Sequence, residues 1–135
     1  MPVKYPHMLP EETKIWDAYI EREGLPEGQI SYDVHLGDGL APDPTWPAWM
    51  VKMVRSLSTH RLDVVVERPD EVLIVELKIV AGMGAVGQLL GYEALWLKDR
   101  GVSRPVRLVC ICDRIEADME TVFSFYEIEV IVMGA

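Results

Sequence analysis

One stretch limits what this chain can fold into more than any other. It is residues 61–78, RLDVVVERPDEVLIVELK. Two runs dense in Val, Leu and Ile, residues 61–67 and 72–78, flank Arg68-Pro69-Asp70-Glu71. Pro and Asp between two such runs are turn chemistry, so the pattern predicts a β-hairpin. A fold symmetric about Pro69 and Asp70 sets Val66 opposite Leu73, Asp63 opposite Glu76, and Arg61 opposite Lys78. Strand side chains alternate between faces, so Arg61, Asp63, Val65 and Glu67 share a face with Val72, Ile74, Glu76 and Lys78. That face is apolar in its middle and charged at one end.

The charged end has two readings. Like charges directly opposite one another destabilise a strand pair. In the first reading the cluster is a solvated sheet end, its acids neutralised by Lys78 and Arg61. In the second it is a hard-cation site. Mg²⁺ takes oxygen ligands, often one or two carboxylates, and keeps waters and substrate phosphates in its other positions. Lys78, two residues past Glu76, then points into the same space and is placed to orient water or stabilise charge on a phosphate.

Residues 82–87 read as a small-residue connection and residues 85–98 as a helix, because Val86, Leu89, Leu90, Ala94 and Leu97 recur at helical spacing. Gln88 and Tyr92 lie four apart and so share one helix face.

Asp63 followed by Glu76-Leu77-Lys78 resembles the paired motif of the PD-(D/E)xK nuclease superfamily. Gln88-Leu89-Leu90-Gly91-Tyr92 is similar to the QxxxY motif of that superfamily's RecB-type branch. Leu62, not proline, precedes Asp63, and Ser58-Thr59-His60-Arg61-Leu62 replaces the glycine and hydrophobic residue usual before it. The resemblance implies a restriction-endonuclease-like α/β core and a Mg²⁺ or Mn²⁺ cofactor. Asp63, Glu76 and the Leu77 carbonyl would be metal ligands, and Lys78 the catalytic lysine. Gln88 and Tyr92 would orient the metal site or the DNA backbone. The first helix of such proteins often adds an acid. Here that would be Glu12 or Glu21, each of which reads first as a solvated helix residue.

The chain has 135 residues, enough for one domain over 1–135, and half are hydrophobic. It has no apolar run of membrane-spanning length and no N-terminal signal pattern, so a soluble cytoplasmic protein is expected. Cys110 and Cys112 sit two apart in an apolar run. That spacing suits a disulfide poorly, and no second Cys or Cys/His pair completes a zinc site, so both read as buried apolar residues. The net charge of −9 argues against affinity from broad phosphate neutralisation. DNA contact would instead rest on a local basic patch: Lys52, Arg55 and Arg61, with His60 and Lys78.

Residues 1–10 read as an extended arm. A helix is expected from Pro10 to about Glu23, with Ile15, Trp16, Tyr19 and Ile20 as its stripe. A first strand is expected over residues 29–36, then a Pro/Gly-rich loop over 37–47. Trp46, Trp49, Met50, Met53, Val54 and Leu57 mark an amphipathic helix. Core packing is its first reading; the other is a partner or DNA surface. Residues 107–112 should be a strand buried on both faces, residues 117–126 a helix, and residues 129–133 a last strand. No Ser or Cys stands in a strand-turn-helix elbow, so no nucleophile triad is expected.

The order helix, strand, helix, hairpin, helix, strand, helix, strand is that of an α/β domain, a mixed sheet with an antiparallel hairpin and helices on its faces. The expected activity is metal-dependent hydrolysis of DNA phosphodiesters, with a homodimer or a larger protein as further partners and no membrane. The rival is a nuclease-fold subunit that binds or assembles without cleaving. The charge, the small size and the Trp/Met helix suit the rival, whereas the complete acid–lysine set suits the enzyme. A plain α/β domain would hold the Asp63 and Glu76 carboxylates far apart.

Overall fold

The computed structural model describes Tyr5, Pro6 and residues 8–134. Of the expected arm, Met1–Lys4 and His7 lie outside the described residues. Among those described, the chain forms four helices and five strands. They run α1 (Pro10–Glu23), β1 (Gln29–Leu36), α2 (Ala48–Ser58), β2 (His60–Glu67), β3 (Val72–Ala81), α3 (Met83–Arg100), β4 (Val106–Ile115), α4 (Met119–Phe125) and β5 (Ile128–Val132). One five-stranded sheet holds the strands in chain order. β1, β2 and β3 pair antiparallel, whereas β3, β4 and β5 pair parallel, as crossover helices allow.

The hairpin forms in the expected register, with Val66 opposite Leu73 and Glu67 opposite Val72. Its turn is tied by Arg68 N–H to the Glu71 carbonyl at 2.9 Å and by an Arg68–Glu71 ion pair at 2.7 Å. Alternation sorts the apolar residues into two cores. Val65, Val72 and Ile74 join Leu89, Tyr92 and Trp96 of α3 and Phe123 of α4. Val64, Val66, Leu73, Val75 and Leu77 pack instead with Ile15 and Trp16 of α1. Trp16 is fully buried, and its indole N–H donates to the Tyr32 hydroxyl at 3.2 Å. Tyr5 folds back from the arm to donate to Asp17 at 3.0 Å.

Several boundaries differ from the pattern. β3 runs on to Ala81 and α3 begins at Met83, so the expected small-residue connection shrinks to Gly82. A Cβ on Gly82 would meet the Glu116 carboxylate at 2.8 Å. That close approach sets an acid beside the first turn of α3, where the helix dipole favours it. β4 continues to Ile115, past the turn expected at Asp113, because its parallel ladder with β3 reaches Ala81–Ile115. The core-packing reading of α2 does not hold: no residue of that helix is buried. α1 already covers one sheet face and α3 with α4 the other, so α2 lies outside both cores.

No helix among the described residues is long and apolar enough to cross a membrane.

Candidate functional site

The ladder between β2 and β3 supplies the frame. Its described pairs run from Glu67–Val72 to Val64–Val75 and then stop. β1 and β2 likewise pair at Tyr32–Val64 and again at Val34–Leu62, with no pair at Asp33 and Asp63. Asp33 has φ 52°, a left-handed backbone that Asp tolerates better than most residues. The two strands turn over together at this point. Tyr32 and Val64 pack with α1, whereas Val34 and Leu62 pack with the α3 core. The kink frees the Asp63 carboxylate from the ladder. Its Oδ2 accepts the Leu77 N–H at 3.0 Å.

Glu76 follows Ile74 by one strand period and so points to the α3 side. It is 6% exposed, the one buried charged side chain among the described residues. Lys78, next on the same face, sets Nζ 3.8 Å from Glu76 Oε1. Tyr92, also buried, comes down on the acids from α3, with Gln88 one turn earlier.

The electrostatics show how closely these groups are held. Burial pushes the Glu76 carboxyl well above the ordinary carboxylate range; the Asp63 charge pushes it further and Lys78 pulls it back. Asp63 is raised as well, mainly by burial, with the Leu77 N–H and Lys78 restraining it. The Tyr92 hydroxyl is pushed up to about 12 by burial and by the charges of Glu76 and Asp63. The Asp63 and Glu76 carboxyls are near enough for each to act on the other. With both acids ionised, Glu76 Oε2 is buried with no hydrogen-bond donor, as is Gln88 Oε1. A proton on Glu76 would give it a donor toward Asp63, and the charge of each acid raises the cost of ionising the other.

Glu12 of α1 adds its charge to both acids, raising each. Its carboxylate also accepts the Leu9 N–H at 3.0 Å, closing the start of α1. Among the described residues, no three His, Cys, Asp or Glu side chains converge as a metal-binding cluster. Leu77 enters the site through its N–H, and its side chain is buried on the α1 face. Cys110 and Cys112 are free and fully buried, opposite Glu76 and Lys78 in the parallel ladder.

The basic residues separate into two groups. Arg61 is engaged on the α2 side. Its Nη2 donates to the Ser56 carbonyl and hydroxyl at 3.3 Å each, and its Nε lies 3.9 Å from Asp33. It turns toward α2 because the kink at Asp63 breaks the alternation that would align it with Lys78. Lys52 and Arg55, both exposed, line an open hollow of about 410 Å³ with His35, Asp38 and Thr59. A second groove, about 510 Å³, runs along α3 past Gly87, Gln88, Gly91 and Tyr92 to His60. His60, rather than Arg61, is the basic side chain on the groove that reaches Tyr92. Its place after the α2 stop was visible in the sequence; its partner across the groove was not.

No family model matches this chain, and no curated protein matches it. Among solved structures it is similar to one titled "Crystal Structure of Protein of Unknown Function AF1548". Identity is 12% and the TM-score 0.47, over 88% of this chain and 55% of that one. The chain thus spans about half the length of that protein.

Proposed function

We propose that this chain is a metal-dependent nuclease with a restriction-endonuclease-like core, acting on DNA phosphodiesters. The carrying observation is the buried Asp63–Glu76 pair, with its donorless Glu76 oxygen and Lys78 alongside. Two buried acids that oppose each other's ionisation cost stability unless a cation or a proton lies between them. A hard divalent cation fits that donor set, since all its protein atoms are oxygens. Asp63 and Glu76 would hold Mg²⁺ or Mn²⁺, with the Leu77 carbonyl as a further oxygen. The ion when bound supplies Lewis acidity toward the phosphate.

The chain's own residues do the rest. Lys78 sets its Nζ 3.8 Å from Glu76, where it stabilises charge on a phosphate oxygen as water displaces the leaving oxygen. Tyr92 and Gln88 wall the acids off from bulk water on the α3 side and orient the phosphate. The Leu77 N–H fixes the Asp63 carboxylate, as a supporting hydrogen bond does for any ligand.

A second reading, a nuclease-fold subunit that binds or assembles without cleaving, draws on a different observation. Glu12 caps α1 with its carboxylate, and although its charge reaches the pair, no three acids form a metal-holding group among the described residues. Cleavage of end-labelled single- and double-stranded DNA with Mn²⁺ separates the two. The enzyme reading expects cleavage by the wild type and none by Glu76→Ala or Lys78→Ala, each with an unchanged far-ultraviolet spectrum. Cleavage retained by either purified variant refutes the mechanism. DNA retention by an inert wild type favours the second reading.

A further inference from the structure

α2 presents a face that the rest of the chain leaves uncovered. The helix has 11 residues and none is buried. Met50, Val51 and Val54 are half-buried toward the body. Trp49, Met53 and Leu57, spaced four apart, point outward and are 66%, 45% and 73% exposed. Leu40, 65% exposed, belongs to the preceding loop and sits at the end of α2, its N–H donating to Ser58 Oγ at 2.8 Å. A helix this short is marginal in water without packing of its apolar side. The sequence nevertheless encodes a strong amphipathic stripe there, and clustered exposed apolar side chains mark an interface.

We propose that the occupant of this face is a second copy of this chain, with α2 packed antiparallel on α2 about a two-fold axis near Met53. Two features select it. The first is area. The four side chains expose on the order of 500 Å² per copy, so a symmetric pair buries roughly 1,000 Å², about the minimum for a specific interface. The second is charge. From Pro44 to Leu62 the chain holds Lys52, Arg55, His60 and Arg61 and no acid, while Asp43 stands just before the helix; Asp38 lies at the other end, beside Arg55 and paired with Lys98. Antiparallel pairing sets Asp43 of one copy beside the basic exit of the other copy's α2, and a two-fold axis makes that match twice. Opposed helix dipoles favour the same orientation. A nucleic acid strand would use the cations and Trp49, but it leaves Leu57 and Leu40 in water. The inference stands apart from the nuclease reading, because no residue of the acid site enters it.

Sedimentation equilibrium of the full chain, from micromolar to hundred-micromolar, tests it. The expected wild-type mass is twice the 15.3 kDa of the chain. Trp49→Asp is expected to weaken association by at least about thirtyfold, the scale of a central aromatic anchor. Its helical spectrum should be unchanged, since the side chain is exposed. In a second arm, Met53→Cys should join two copies with a short bis-maleimide while Glu21→Cys on α1 does not. A monomer throughout the range overturns the proposal, as does a dimer indifferent to Trp49→Asp or to Met53→Cys linkage. If the chain is monomeric and Trp49→Asp instead loses binding of a labelled oligonucleotide, the face is a nucleic-acid surface and the proposal fails.

Discussion

Glu76→Gln should make this protein more stable at neutral pH while removing its metal site. In the native chain Glu76 holds its proton well above the ordinary carboxylate range, chiefly because it is buried and then because Asp63 is charged beside it. The unfolded chain releases that proton near pH 4.3. Above that pH the native state binds more protons than the unfolded state, so stability falls as pH rises, until the native carboxyl also ionises. Each pH unit in that window costs about 1.4 kcal/mol, which sets a ceiling of about 4 kcal/mol by pH 7.5. Relaxation of the site and entry of water take up part of it, so about 2 kcal/mol is expected. Gln keeps the shape, carries no charge and can donate to Asp63. The variant should therefore melt roughly 8 °C higher than the wild type at pH 7.5 in EDTA, with the gap nearly closed at pH 5. Circular dichroism melts at pH 5, 6, 7 and 8 measure it. Added Mn²⁺ should raise the wild-type melt at pH 7.5 and leave Glu76→Gln unmoved. An equal gain at pH 5, or a variant less stable than wild type at pH 8, would show that Glu76 is not held as an unrelieved acid.

Two glycines should respond oppositely to alanine. Gly28→Ala forces a methyl to 2.7 Å from the Glu67 carbonyl on a left-handed backbone and should lower the denaturant midpoint, whereas Gly87, with nothing near its position, should gain up to about 1 kcal/mol of helix propensity. Urea titrations of the two variants read this directly. Trp16→Ala should cost about 3–5 kcal/mol, because the ring is fully buried and the Tyr32 hydroxyl loses its donor. A loss below about 1 kcal/mol would mean that α1 does not seal its sheet face.

The hairpin was legible because three independent signals agree: β-branched runs, a Pro-Asp turn and an alternation that places every buried Val on one of two cores. The Val66–Leu73 register followed from counting residues across that turn. Counting fails at Asp63, where the strand leaves its ladder. A polar residue inside an apolar strand shows that something is needed there, but not that the backbone will turn over. Arg61 was misdirected for the same reason and goes to Ser56 and Asp33 instead. α2 shows the limit of periodicity. The pattern reports that a helix has an apolar side, and only the placement of α1, α3 and α4 decides that no core is left for it. The acid pair itself was legible as residue types in a spacing. Its burial was not, because that depends on Tyr92 arriving from a helix whose start the glycines obscured.

The most direct test is a calorimetric titration of Mn²⁺ into wild type and Glu76→Ala at pH 7.5, with and without an uncleavable phosphorothioate oligonucleotide. Binding at Asp63 and Glu76 predicts a single site in the wild type, tighter with the oligonucleotide, accompanied by proton release and absent in the variant. No heat in the wild type under either condition, or equal binding by Glu76→Ala, would contradict it.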